Sequence, residues 1–293
     1  MSKSFLVYGA GAIGNIITYS LLKSNQKVYL FCRKPNYEFY KKNGIELQIF
    51  NNKRFIKKIN LTKNKNLNLI NNIKKIRKDL FAVFITTKIT TSLNECLKSI
   101  NKVISKNTLL VTPCTGLPFW WYLCIKKKSV KKFYKSISKE FKYNLKLRNI
   151  VGMTMWLSAI KVKKGVFRLN HIQRGFPMKE VFPEQKEKVD ELRSLIKKTI
   201  KSPLVKNIFY EIFTKSINSF AFNLIAILYD QNNRQLNNNA VAKNKVLQIL
   251  NESNKVLKNL KIKVYQSSSS RIKQTLSSSA HTMSMLSDFR LGK

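Results

Sequence analysis

At 293 residues with a 44% hydrophobic share, the chain is long enough for two domains with real cores and is not composed like a disordered protein. Its 56 Lys and Arg against 14 Asp and Glu give a net charge of +42, which alone would suggest nucleic acid or an acidic membrane surface. Only ten of those cations are Arg, however, Asn and Ile are abundant beside the Lys, and no arginine-rich or aromatic-interleaved segment occurs. The surplus therefore reads as compositional bias, and no nucleic-acid partner is expected. A basic surface would still steer anionic substrates and cofactors by long-range attraction.

The four cysteines, Cys32, Cys96, Cys114 and Cys124, form no CxxC pair, and there are only two His. Neither a zinc site nor a disulfide framework is indicated. The first apolar run is too short for a signal peptide, and no run is long enough to span a bilayer. A soluble cytoplasmic protein without a membrane partner is expected, as a monomer or homodimer.

Phe5–Tyr8 predicts a short buried strand, and Asn15–Lys23 has helical spacing; between them stand Gly9, Gly11 and Gly14. This GxGxxG, flanked by strand and helix, is the dinucleotide-binding fingerprint. Gly9 permits the tight turn, Gly11 lets the backbone approach a pyrophosphate, and Gly14 lets helix and strand pack closely. Ala10, Ala12 and Ile13 complete the cofactor-binding turn, and the helix N-terminus offers its N–H groups to phosphate. The next strand, Lys27–Cys32, runs into Arg33 and Lys34. NAD sites often carry an acid there, for the ribose hydroxyls; a pair of cations favours the 2′-phosphate of NADP, so NADPH is the expected cofactor.

Ile45–Phe50 and Arg54–Leu61 suggest a hairpin-like insertion, and Asn64–Lys78 is poorly patterned. Leu80–Ile85 is a continuous apolar run, as in a buried parallel strand. It leads through Thr86 and Thr87 to Lys88, at the strand end where doubly wound sheets hold ligands. A helix with Leu93, Leu97 and Ile100 on one face follows. The strand Thr108–Thr112 then leads into a loop, Pro113–Pro118, at the same sheet edge. Residues 126–148 are heavily basic and ambiguous. Ile150–Ile160 and Gly165–Asn170 suggest strands, with Gly175 in the turn after them, and Pro183–Lys198 an amphipathic helix. Composition shifts near Pro203, and Phe209–Tyr229 and Val241–Leu260 have long helical patterns. The serine clusters Ser267–Ser270 and Ser277–Ser279 suggest loops. The expected architecture is α/β, with an N-terminal Rossmann doubly wound sheet over 1–203 and a mostly helical domain over 204–293.

Several separated stretches resemble the ketopantoate reductases (2-dehydropantoate 2-reductases). Gly9–Gly14 and Arg33 match that family's cofactor motif, and Thr87 with Lys88 its strand-end Thr-x-Lys. Pro113–Trp121 is similar to its Gln-Asn-Gly loop and following Pro-Trp-Trp, Glu211–Asn223 to its catalytic helix, and His281–Asp288 to its Ser-Met-Leu-x-Asp segment. The resemblance implies a Rossmann domain, a helical domain, and reduction of ketopantoate to D-pantoate by NADPH on the way to pantothenate and coenzyme A. Lys215 matches the catalytic lysine, which would serve as general acid toward the alkoxide left by hydride transfer. Asn223, eight residues on, falls about 80° around the helix from it, so both can face the substrate. Ser284 matches the serine that holds the substrate carboxylate.

Three positions depart from the family pattern. Ser219, with Asn218 beside it, stands where a first substrate-binding Asn is usual. Thr115 replaces the loop Asn that contacts the cofactor. The family's glutamate, about a dozen residues after the serine, has no counterpart, since the sequence ends nine residues after Ser284; the family's final segment is thus expected to be lacking. These departures keep open a different 2-oxo acid as substrate, or a catalytically impaired dinucleotide-binding protein.

Overall fold

The computed structural model describes residues 2–51, 54–76, 79–87, 89–121, 147–264, 266–276 and 282–292. Those within Met1–Pro113 and Lys126–Ile208 form one compact unit, and those within Cys114–Ile125 and Phe209–Lys293 a second.

The strands of the first unit are, in chain order, β1 (Ser4–Tyr8), β2 (Lys27–Phe31), β3 (Glu46–Asn51), β4 (Arg54–Asn60), β5 (Leu67–Ile70), β6 (Leu80–Ile85), β7 (Leu109–Cys114), β8 (Ile150–Thr154), β9 (Trp156–Lys163), β10 (Val166–Gly175) and β11 (Met178–Glu180). Seven make one sheet in the order β5-β2-β1-β6-β7-β8-β11. β1 runs parallel to both β2 and β6, β2 to β5 and β6 to β7, while β11 closes the far edge antiparallel to β8. Without β11 this is the doubly wound order, and the strand order reverses between β1 and β6. Ligands of such sheets lie beyond the strand ends at that point of reversal.

The apolar runs of β1 and β6 are buried because helices cover the sheet. Helix α1 (Ala12–Lys23) is buried without a break from Gly14 to Leu22. It packs on β1 and β2, on β9 and β10, and on α4 (Lys186–Lys197), which follows α2 (Lys34–Asn43) and α3 (Ile89–Ile100) in the chain. Ser20 and Thr199 share a 2.6 Å hydroxyl contact beside that packing, and the Ser24 hydroxyl donates to the Leu195 carbonyl.

Three local expectations need correction. The apolar stretch 150–160 is not one strand but two: β8 joins the large sheet and β9, after Met155, a second sheet of order β4-β3-β10-β9. Apolar residues run on both sides of the break, so periodicity could not show it. β5 lies within the stretch that lacked pattern; it is a four-residue strand at the sheet edge, with too few alternations to register. Gly175 is the last residue of β10, not part of a turn, at φ 70°, where a Cβ would lie 2.0 Å from the Lys201 carbonyl oxygen. The hairpin β3–β4 itself is present and antiparallel.

The second unit is helical among its described residues: α5 (Ile208–Leu228), α6 (Asn233–Asn238), α7 (Ala240–Asn259), α8 (Ser268–Leu276) and α9 (Ser284–Arg290). Ala242, Val246, Leu250 and Leu257 of α7 form the buried stripe expected of an amphipathic helix; the first three cluster with Phe222, Ile225 and Ala226 of α5, and Leu257 clusters with Phe213 of α5. Trp120 and Trp121 meet Phe209 and Phe213 edge-on, at centroid distances of 5.8 and 6.4 Å, and so fasten the preceding segment to the first turns of α5. The first serine cluster is a helix start rather than a loop, with the Ser267 hydroxyl accepting from the Ser270 N–H. Serine favours both settings, which is why composition misassigned it. Ser277–Ser279 lie outside the described residues.

Candidate active site

In the first unit the fingerprint turn leaves β1 at the point of strand-order reversal. Gly9 donates its N–H to the Phe31 carbonyl of β2 and adopts φ 121°, a conformation that disfavours side chains. A Cβ on Gly14 would lie 1.9 Å from the Gly9 carbonyl oxygen, so these two glycines are required by the turn's own packing. Gly11 is different. Its backbone is extended, at φ −81° and ψ −173°, and a Cβ there would meet nothing within 4 Å. Nothing inside the protein asks for glycine at this exposed position, whereas close approach of a phosphate to the backbone does. Gly11 is also the N-cap of α1; it has no side chain to occupy the first N–H groups, and no acid stands in the first turn. The N–H groups of Ala12, Ile13 and Gly14 are thus available to an anion. The residues present fit a dinucleotide pyrophosphate.

Two side chains lock this turn, and neither is part of the motif. Thr86, just past β6, donates from its hydroxyl toward the carbonyls of Tyr8 (3.1 Å) and Gly9 (2.8 Å). The amide of Asn15, wholly buried, donates to the carbonyls of Ala10 (3.0 Å) and Gly11 (2.9 Å). Each such bond is worth about 1 kcal/mol net, and together they satisfy carbonyls that would otherwise compete for the turn's shape. Their positions, directly after Gly14 and at the next strand end, were the available sequence signal. Arg33, exposed, is the N-cap of α2 just beyond β2, the neighbour of β1 at the same sheet edge. Lys88 lies outside the described residues. Thr115 is exposed, in the bend after β7.

In the second unit α5 presents a file of polar groups on an otherwise apolar helix. Lys215, Ser219 and Asn223 follow one another at intervals of one turn, with Glu211 a turn before the lysine. Lys215 is half-buried by surface, yet its ammonium is crowded enough that desolvation lowers its pKa to about 8, partly opposed by the nearby Glu211 carboxylate. The Asn223 amide donates to the Ser219 carbonyl (2.7 Å) and hydroxyl (3.2 Å), and its Oδ1 accepts from the Met285 N–H (3.3 Å). Asn223 therefore holds the start of α9 beside α5 and brings exposed Ser284 to the neighbourhood of Ser219. With Asn223 bonded on both sides, the Ser219 and Ser284 hydroxyls stand with Lys215 as groups that could meet a ligand.

Asn218 points elsewhere. It is buried, and its Oδ1 accepts from Nε of Arg271 at 2.5 Å. Arg271, 1% exposed on α8, also donates to Asn254 of α7 at 3.1 Å, and its lost hydration pulls its pKa down to about 10. Asn218 thus ties the catalytic-helix candidate to α7 and α8. Glu211 and Arg271 are the two charged residues of this region that motif reasoning passed over. No cluster of metal-ligating side chains occurs among the described residues, and none of their helices is long and apolar enough to cross a membrane.

Residues 5–117 match the family model of ketopantoate reductase PanE/ApbA. Over that stretch the chain resembles the ketopantoate reductases. No curated protein matches it. Among solved structures it is similar to 2-dehydropantoate 2-reductase from Geobacter metallireducens GS-15, with 16% identity, TM-score 0.75, and coverage of 99% of this chain and 88% of that one. For the 2-dehydropantoate 2-reductase from Methylococcus capsulatus the values are 16%, 0.74, 99% and 85%. D-mandelate dehydrogenase, solved with NADH and anilino(oxo)acetate, is equally near at 19%, 0.75, 98% and 85%. At these identities the likeness is one of fold. The chain thus shares the fold of these proteins, and both cofactor and substrate must be argued from its own residues.

Proposed function

We propose that the protein reduces the ketone of a 2-oxo acid with NADPH, and that the substrate is ketopantoate, converted to D-pantoate in the cytoplasmic route to pantothenate and coenzyme A. The observation that carries this reading is Lys215. It is a crowded ammonium on a helix face shared with Ser219 and Asn223, and its lowered pKa suits an acid working near neutral pH. When bound, NADPH would supply the hydride for the carbonyl carbon. As the C=O electron pair moves onto oxygen, Lys215 Nζ stabilises the developing alkoxide and delivers a proton to it, leaving a hydroxy acid and a neutral amine. Ser284 and Ser219 donate to the substrate's oxygens, and Asn223 fixes both. Gly9–Gly14 hold the pyrophosphate, and Arg33 pairs with the 2′-phosphate that distinguishes NADPH from NADH. In this reading residues 1–203 carry the cofactor and 204–293 the acid.

A second reading keeps cofactor and chemistry but changes the acid. Ser219 reaches less far than an amide and is already bonded by Asn223, which leaves room for a bulkier group. The likeness to D-mandelate dehydrogenase points to an aryl 2-oxo acid. NADPH consumption with ketopantoate, the 2-oxo acid of mandelate and branched-chain 2-oxo acids separates the two. A kcat/KM at least tenfold higher for ketopantoate supports the first; preference for an aryl acid replaces it with the second. Turnover of none of them, with NADPH still bound, would leave a dinucleotide-binding protein without this activity.

A further inference from the structure

We propose that Glu211 is a positioning residue for the reaction, its carboxylate holding the Lys215 ammonium protonated and aimed from one helical turn away. The inference rests on the reading of Lys215 as the proton donor. Glu211 is 2% exposed, between Phe209, Ile212 and Phe213 in the first turns of α5. Burying a carboxylate there is costly unless a cation or strong donors compensate it. A residue four positions before a lysine lies about 5–6 Å from it between Cβ atoms, and Glu before Lys is the favourable order.

Among the described residues, the helix spacing and the burial of Glu211 place it to act on Lys215. Trp120 and Trp121, packed on the same turns of α5, carry no charge. From α8, Arg271 reaches α5 at Asn218 and is engaged by Asn218 and Asn254; on α5 itself, Tyr210 is the other titratable group nearby. Burial pushes the Lys215 pKa down, and the Glu211 carboxylate pushes it back. A desolvated lysine without such a partner loses its proton well below the ordinary value. An amine neutral at working pH cannot serve as the acid. Glu211 therefore sets how much of the enzyme is in the active protonation state, without touching the substrate.

The test uses the full-length protein. Lys215 is titrated by competitive labelling with acetic anhydride across pH 5–11, read on its own peptide by mass spectrometry, alongside the pH dependence of kcat. In the parent protein the midpoint and the alkaline limb of kcat should coincide near the value given above. Glu211→Gln should lower both by about one unit or more. That means a loss of roughly threefold in kcat at pH 7.5, largely recovered at pH 6, and Glu211→Asp should restore most of the shift. Lower kcat at every pH with an unmoved midpoint would show a merely structural glutamate and overturn the proposal. A midpoint that moves while the kcat limb stays put would remove Lys215 as the acid, and with it the part of Glu211 in the reaction. If Glu211→Gln does not fold, Glu211→Ala carries the same reading: a lowered midpoint supports the proposal, and an unmoved midpoint overturns it.

Discussion

Between Gly9 and Gly14 the chain offers bare backbone to its ligand, whereas between Glu211 and Asn223 it offers side chains on a backbone already sealed into a helix. The first region needs atoms to be missing. A Cβ at Gly14 has no room, whereas at Gly11 it would enter open space, where the proposed reading puts a phosphate. The second region needs particular atoms present at intervals of one turn, and its helix would form equally well with other residues in the file. Substitutions in the turn should therefore damage by addition, and substitutions on the helix by subtraction.

The largest expected effect is on the helix. Lys215→Ala should lower kcat by about 10²–10⁴-fold, the usual worth of a positioned acid, with NADPH affinity unchanged by fluorescence titration. An unchanged rate would break the proposed division of labour. Next is Gly14→Ala. Its Cβ falls 1.9 Å from a backbone oxygen, so the turn must move, and NADPH binding and thermal stability should fall together, by about 1–3 kcal/mol in stability. The third effect is pH-dependent. With the Lys215 pKa lowered to about 8, the protonated acid predominates below that pH, so kcat should be flat there and fall tenfold per unit above it. Stability runs the other way. The unfolded lysine keeps its proton to about 10.4, so unfolding takes up a proton between these values, and the Lys215 contribution should grow more favourable as pH rises from 8 toward 10. Arg33→Ala should weaken NADPH roughly tenfold while leaving NADH almost untouched. Smallest, and sharpest for the comparison, is Gly11→Ala: melting should be unchanged within about 0.5 kcal/mol while the cofactor binds more weakly.

The same contrast explains what the sequence disclosed. A motif made of glycines is legible because few other residues satisfy its steric demands, so Gly9–Gly14 pointed to a turn between strand and helix, and that turn is where it was expected. Thr86 and Asn15 support that turn through hydrogen bonds that many residue types could have made, so only their positions beside the motif and at the next strand end hinted at them. On α5 the spacing of Lys215, Ser219 and Asn223 was visible only because it resembled a family pattern. That Asn223 gives its oxygen to the Met285 N–H, and Asn218 its oxygen to Arg271, depends on α9 and α8 arriving from some fifty to sixty residues later. Long-range partners of this kind are invisible to local periodicity. So was the break at Met155, where one apolar run serves two sheets.

The second sheet carries a consequence for how the chain is made. Its central pair joins Glu46 of β3 to Val166 of β10, parallel and 120 residues apart. Until the ribosome has added those residues, roughly 6–24 s at about 5–20 residues per second, one side of β3 has no strand to pair with. Its other side is occupied at once by β4, whose exposed Lys57 and Lys58 keep that flank charged and unsuited to pairing with other chains. The non-local closure makes completion of the first unit a late event in synthesis, and places the interval of greatest aggregation risk between translation of residue 51 and that of residue 175.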